Sequence, residues 1–223
     1  MAKLLWFGHA AFSIEMAGTI VLVDPWLNGN PASTAKASEI TWADIVYVTH
    51  DHGDHLGDAF DICKRNKATF VAVVELADYA EESGVRNVAG LNIGGSILIK
   101  GVRLTVVQAT HTASRGVPTG VIIEGEDKTV YHGGDTGLFG DMGLIGQLHM
   151  IDVALVPIGG YYTMNSRDAA EAVKLLNPKT AIPMHYKTFT VLAQSADEFV
   201  KRVKEKAPRV KVKVLKPGDS FQF

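Results

Sequence analysis

The chain has 223 residues, 47% of them hydrophobic, a formal net charge of −2 and one cysteine. That is enough apolar mass to bury the core of a single domain spanning 1–223, and the lone Cys63 excludes an internal disulfide or a thiolate metal cluster, leaving it the role of a small core residue on a helix. No apolar run approaches the about 18 residues a membrane span requires, and the opening Met-Ala-Lys-Leu-Leu-Trp-Phe-Gly-His lacks the features of a secretory leader, so a cytoplasmic protein without membrane contact is expected.

Along the chain, apolar runs alternate with helical patterns. Strands are predicted at Lys3–Phe7, Ala11–Met16, Thr19–Asp24, Ile45–Thr49, Thr69–Val73 and Ser96–Ile99, and then at Val102–Ala109, Gly120–Glu124, Thr129–His132, Val153–Pro157, Thr180–Met184 and Lys211–Leu215. Helices are predicted near Asp58–Arg65, Glu75–Ser83, Asp141–Gln147, Arg167–Leu176 and Ser195–Lys206. Asn165 or Ser166 suits the N-cap of the fourth helix, and Asn177-Pro178 ends it, because a residue before proline avoids the helical conformation. Consecutive strands followed by strand–helix alternation indicate an α/β (α+β) fold of mixed sheets covered by helices.

Residues 201 to 216 hold eight Lys or Arg against one Glu, a net +7. Val210, Val212 and Val214 alternate with Lys211 and Lys213, and the preceding cations fall on an amphipathic helix, so a solvated face accounts for the charge better than a nucleic-acid surface.

The chain also echoes itself. Thr19-Ile-Val-Leu-Val-Asp24 resembles Thr129-Val-Tyr-His-Gly-Gly-Asp135, Ala43–Val48 resembles Ile151–Val156, and Ala68–Val71 matches Lys179–Ile182, each at an offset near 110 residues. A two-fold duplicated architecture follows: two mixed sheets packed face to face with helices outside, and a site where the halves meet at the strand ends.

The stretch Val46-Tyr-Val-Thr-His-Asp-His-Gly-Asp-His-Leu-Gly-Asp58 concentrates potential donors at such an end. His50 and His52 can point the same way, and Gly53 permits the turn that brings Asp54 and His55 round. Adjacent Asp54 and His55 do not easily join the two histidines on one tetrahedral ion, so two neighbouring ions are the easier solution. Further donors follow other strands: His111, Asp135 and His185.

His-x-His-x-Asp-His followed by a lone His, an Asp in Gly-Asp-Thr-Gly and a late His resembles the metallo-β-lactamase superfamily, whose fold is a duplicated αβ/βα four-layer sandwich. Gly8-His-Ala-Ala-Phe12, Asp24-Pro25, Pro157-Ile-Gly-Gly160 and Pro183-Met-His-Tyr186 resemble its metal-dependent hydrolase branch related to L-ascorbate-6-phosphate lactonase. The resemblance implies that His50, His52 and His111 hold one ion, Asp54, His55 and His185 the other, and that Asp135 bridges them. It also implies a dinuclear hydrolase in which a hydroxide between the ions attacks a small ester, lactone or phosphoester, with Asp54 as ligand and proton acceptor. Two divalent ions are expected. Imidazole and carboxylate donors suit zinc first and also Mn, Fe, Ni or Co, and His52, where the di-iron oxygen reductases of this fold carry Glu, favours hydrolysis over redox chemistry.

Around this set, His9, Asp24, Arg115 and Tyr161 are candidates to orient ligands or touch substrate. His132 is read as packing beside Asp135, Gly133 and Gly134 as close backbone approaches, and His149 as structural. The polar loop Asn28–Ser38 and the segment Ser114–Pro118 are candidate pocket walls, and Arg115, Tyr161, Tyr162 and Lys187 candidates for an anionic group. A small molecule is the expected partner, with homo-oligomerisation left open. Two alternatives stand beside the hydrolase: a nucleic-acid phosphodiesterase of the same fold, prompted by the basic segment, and a non-catalytic metal-stabilised scaffold or sensor.

Overall fold

The computed structural model describes residues 2–223, which form two seven-stranded sheets. In the first half the elements are β1 (Lys3–Gly8), β2 (Ala11–Met16), β3 (Thr19–Val23), β4 (Ile45–Tyr47), α1 (Gly53–Leu56), α2 (Ala59–Asn66), β5 (Thr69–Val73), α3 (Val74–Glu82) and β6 (Val88–Leu91). The second half runs β7 (Ser96–Ile99), β8 (Val102–Gln108), β9 (Thr119–Gly125), β10 (Lys128–His132), α4 (Met142–Leu148), β11 (Val153–Pro157), α5 (Ser166–Leu176), β12 (Thr180–Met184), α6 (Asp197–Lys206), β13 (Lys211–Val212) and β14 (Ser220–Gln222).

The sheet orders are β14-β1-β2-β3-β4-β5-β6 and β13-β12-β11-β10-β9-β8-β7. Each has an antiparallel meander leading into a parallel run, β3-β4-β5-β6 in one sheet and β10-β11-β12-β13 in the other. The sequence echo is therefore a structural one. β4, β11 and β12 are apolar and buried along their whole length, as strands covered on both faces must be. One buried cluster fills the space between the sheets, with Phe12, Ile14, Tyr47, Val106, Ile122, Tyr131 and Leu155 among it. Another lies under α2 and α3, with Val46, Ile62, Phe70 and Leu76.

The duplication reaches individual side chains. At the start of β4, Asp44 accepts a hydrogen bond from the Ile20 N–H and meets the Lys100 ammonium; at the start of β11, Asp152 accepts from the Thr129 N–H and meets Lys179. Both pins sit at the amino ends of parallel strands, which leaves the carboxyl ends free for chemistry.

Away from the edges, β4 stops at Tyr47 rather than Thr49 and the turn expected at Gly53 is the short helix α1; the other differences lie at edges. β13 covers two residues rather than the five expected, and β6 and β14 were not foreseen. α6 begins at Asp197, two residues after the expected Ser195, whose hydroxyl accepts from the Asp197 N–H ahead of the helix. Asn165 caps α5, its Oδ1 accepting from the N–H groups of Arg167 and Asp168 at 2.9 and 3.0 Å.

Candidate metal centre

The carboxyl ends of the parallel strands meet across the sandwich and are tied there by hydrogen bonds between the halves. The Thr119 N–H donates to Thr49 O (3.0 Å), the His185 N–H to His9 O (3.1 Å), and His132 Nε2 to Ala10 O (2.9 Å). The turns leaving these strands are tight enough to place His9, Asp24 and His185 at φ of 55°, 46° and 56°. Left-handed backbone at a non-glycine residue costs about 1–2 kcal/mol, and strain of this kind persists where the surroundings over-determine it. Two glycines make the packing feasible. A Cβ on Gly134 (φ +58°) would stand 2.6 Å from Thr119 O, and one on Gly159 would stand 2.6 Å from His185 O, both closer than real contacts allow. The close approach expected around Asp135 is found at Gly134.

Asp24 organises the loop that carries the histidines. Fully buried after β3, it accepts from the Thr49 N–H and Thr49 Oγ1 (both 2.8 Å) and pairs with His55 Nδ1 at 2.7 Å. The Thr49 hydroxyl, its proton committed to Asp24, accepts from His50 Nδ1 at 3.0 Å. His50 and His55 therefore both hold a proton on Nδ1 and turn Nε2 inward.

The inward atoms form overlapping groups. His50, His52 and His111 offer nitrogens that all lie within 4.8 Å of one another; so do His9, Asp54, His55 and His185, and so do His50, His55 and Asp135. His50 Nε2 and His52 Nδ1 are 2.9 Å apart. Asp135 stands between the groups: its Oδ1 is 3.2 Å from His55 Nε2, and its Oδ2 is 3.1 Å from His185 Nε2 and 3.5 Å from His111 Nε2. All seven donors singled out from the sequence, His50, His52, Asp54, His55, His111, Asp135 and His185, converge here. His9 joins them, its Nε2 3.1 Å from Asp54 Oδ2 and its Nδ1 2.6 Å from Thr188 Oγ1.

This constellation fits divalent cations. His55 Nε2, His185 Nε2 and Asp135 Oδ1 are buried without a well-aligned hydrogen bond, the two rings crowding the Asp135 carboxylate at 3.2 and 3.1 Å, an arrangement that a cation among them would satisfy. Protonation points the same way. Burial pushes His50 down to about 2 and His9 to about 4, and lowers His111, so these rings present lone pairs at neutral pH. For Asp54, burial favours the acid, but the His9 hydrogen bond and the charge on His55 outweigh it and hold the carboxyl below its usual range. Burial works against the charge on His55 too, yet the carboxylates of Asp135 and Asp24 on either side raise its pKa well above the ordinary histidine value. Asp135 is held well below the carboxylate range against the effect of burial, by His55 and His185.

The remaining candidates divide. Asp24 and His9 touch the donors. Arg115 is drawn away by better partners: its guanidinium lies 3.8 Å over the Tyr79 ring and 3.5 Å from Asp51, outside the cavity wall. Tyr161 stands off the wall, edge-on to Tyr162, and it is Tyr162 that lines the cavity. The Asn28–Ser38 loop is no lip: none of its residues lines the cavity, Asn28 is held by Asp58 and Ala37 is buried. His132 is satisfied within the fold, donating from Nε2 to Ala10 O and accepting the Gly134 N–H on Nδ1, which fixes the turn before Asp135. His149 pairs with Glu124 at 3.3 Å. Sequence reasoning missed Trp26, Thr188 and Phe189. Thr188 and Phe189 carry no periodic signal, and the only hint for Trp26 was its place beside Asp24-Pro25.

A cavity of about 950 Å³ opens over the donors, walled by Trp26, Phe189, Val191 and Tyr162 and floored by His52, Asp54, His111 and Asp135.

Known proteins share this fold. Residues 19–186 match the family model described as beta-lactamase superfamily domain. A UPF0173 metal-dependent hydrolase of Methanopyrus kandleri is 47% identical over 99% of both chains, and one of Caldivirga maquilingensis is 48% identical over 98% of this chain and 97% of its own. The structure of a metallo hydrolase from the hyperthermophilic archaeon Ignicoccus hospitalis superposes with a TM-score of 0.92 at 41% identity, covering 100% of this chain and 99% of that one.

Proposed function

Since the chain belongs to the beta-lactamase superfamily, among its UPF0173 metal-dependent hydrolases, we propose that it hydrolyses a small ester, lactone or phosphoester with two divalent cations, zinc first among them. His50, His52 and His111 would hold one cation, Asp54, His55 and His185 the other, with Asp135 shared. The observation that carries this reading is the convergence of seven donors from four separate turns, with His55 Nε2, His185 Nε2 and Asp135 Oδ1 buried and without a well-aligned hydrogen bond. Bound there, a pair of divalent cations supplies Lewis acidity and lowers the pKa of water towards neutrality.

The chain's own residues supply the rest. Asp24 and Thr49 keep the protons of His55 and His50 on Nδ1 and so point their lone pairs at the ligand position. Asp54, ionised at neutral pH, faces the cavity and is the acceptor for the proton of the attacking water, and His9, 3.1 Å from Oδ2, fixes its orientation. Trp26 and Phe189 exclude bulk water from one side of the donors.

The test is metal analysis of protein purified without added ions, paired with turnover on a panel of esters, lactones and phosphoesters. Two equivalents per chain and turnover that is lost on chelation and regained on reloading are expected; a loaded protein inert across the panel would refute hydrolysis. The phosphodiesterase reading is the weaker one: of the eight cations in residues 201–216, Lys206 pairs with Glu171 and Arg202 with Glu198, and none lines the cavity. Among the described residues no helix is long and apolar enough to cross a membrane.

A further inference from the structure

We infer that the substrate is a neutral ester or lactone with an apolar group beside the scissile bond and no second anionic group. This rests on the hydrolase reading and narrows its substrate class.

Trp26 and Phe189 stack with centroids 5.8 Å apart and planes 22° from parallel. Both meet the His9 ring edge-on, at 5.2 and 5.5 Å, and His9 touches Asp54. The apolar wall therefore begins one side chain from the reacting centre. Val191, half exposed, and Tyr162 extend it outward. A space of about 950 Å³ is far more than a carboxyl centre fills, so the rest of the substrate must lie along this wall.

Charge decides what that remainder is. None of the described residues lining the cavity is a lysine or an arginine. The two cations that follow donors in sequence are engaged elsewhere, Arg115 on Asp51 and Tyr79, and Lys187 towards the Tyr186 ring, 6.0 Å from its centroid. The reacting group's own charge can be met by the metal ions. A remote phosphate or carboxylate would instead meet indole, phenyl and isopropyl groups and, at most, the neutral hydroxyls of Thr112, Tyr162 and Thr190, with no cation to balance it, and unpaired charge is not buried cheaply. A sugar-phosphate lactone and a polynucleotide both carry such groups; a hydrocarbon chain or aryl ring does not.

The test uses the metal-loaded protein with two esters of equal leaving group and near-equal length, 4-nitrophenyl hexanoate and mono-4-nitrophenyl adipate, within a wider ester and lactone panel. The expected kcat/KM is about tenfold or more higher for the hexanoate. Trp26→Ala should lower the hexanoate value about tenfold while two metal equivalents are retained, and Val191→Lys, at an exposed rim position, should shrink or reverse the preference. Equal or better use of the adipate ester, or an unchanged preference in Val191→Lys, would overturn the substrate inference and leave the hydrolase reading standing. A fully loaded protein that turns over nothing in the panel would bring down both.

Discussion

Asp24→Asn removes a charge while keeping a shape, and the hydrogen bonds around it dictate what must follow. The asparagine oxygen has to take the place of Oδ1, because the Thr49 N–H at 2.8 Å can only donate. Its NH₂ then replaces Oδ2, facing His55 Nδ1 and Thr49 Oγ1, which both donated to the carboxylate. His55 must accept on Nδ1, moving its proton to Nε2, the atom 3.2 Å from Asp135. The Thr49 hydroxyl, now an acceptor from the amide, turns its own proton to His50 Nδ1 and drives that ring to the wrong tautomer as well. One isosteric substitution thus places protons on a lone pair of each cation's ligand set. Loss of the group that orients a metal-bound histidine lowers affinity about 10–100-fold, or about 1.4–2.7 kcal/mol. Competition against a chromophoric chelator should register that loss, with nitrogen NMR reporting the tautomers of His50 and His55. Wild-type affinity with both protons still on Nδ1 would refute the reasoning.

Asp54→Ala should remove one metal equivalent and nearly all turnover, measured by elemental analysis and steady-state rates; two metals and full activity would sink the assignment. Gly159→Ala drives a methyl to 2.6 Å from His185 O, an overpacking of about 2 kcal/mol, so Tm should fall by about 4–8 °C. Asp152→Ala leaves the part-buried Thr129 N–H without its acceptor and should cost about 1 kcal/mol in urea unfolding. Its turnover should equal wild type, because this pin lies at the strand ends opposite the site.

Much of this was written in the sequence, and the reasons are specific. Ala11–Met16, Thr69–Val73, Ser96–Ile99, Val153–Pro157 and Thr180–Met184 form strands with the expected bounds because their burial is set by their own alternation or apolar run. The donors were visible because they cluster after strands in residue types that burial alone does not favour. Val88–Leu91 was not visible: it holds Gly90, is only partly buried, and pairs with β5 because Val74 and Ala77 pack on the glycine, a tertiary cause. Ser220–Gln222 is a three-residue edge strand whose partner, β1, lies at the other end of the chain. The aromatic wall was hidden for the same reason, since Trp26 and Phe189 become neighbours only when the halves close. Arg115 misled because sequence places it four residues after His111, whereas its planar cation stacks on the Tyr79 ring instead.

The charge state of His55 gives the centre a measurable proton balance. In the metal-free protein Asp24 and Asp135 flank the ring and raise its pKa well above the ordinary value, which favours a second proton, on Nε2. A raised folded-state pKa stabilises the fold fully below the unfolded value near 6.5, and that contribution fades as pH climbs through the higher folded value. Asp24 and Asp135 have the opposite sign: their lowered pKa values contribute above about 3.8 and fail as acid reaches the folded values. A cation on His55 Nε2 must displace that proton, while His9, His50 and His111, pushed down by burial, have none to give at pH 7. Calorimetric metal titrations in buffers of differing ionisation enthalpy should therefore report proton release from this residue. Affinity should rise with pH until His55 is neutral in the free protein, and the metal-free fold should weaken over the same window while the loaded one does not. Binding without proton release at pH 7 would mean that His55 is not a ligand, or that Asp24 and Asp135 do not hold its charge.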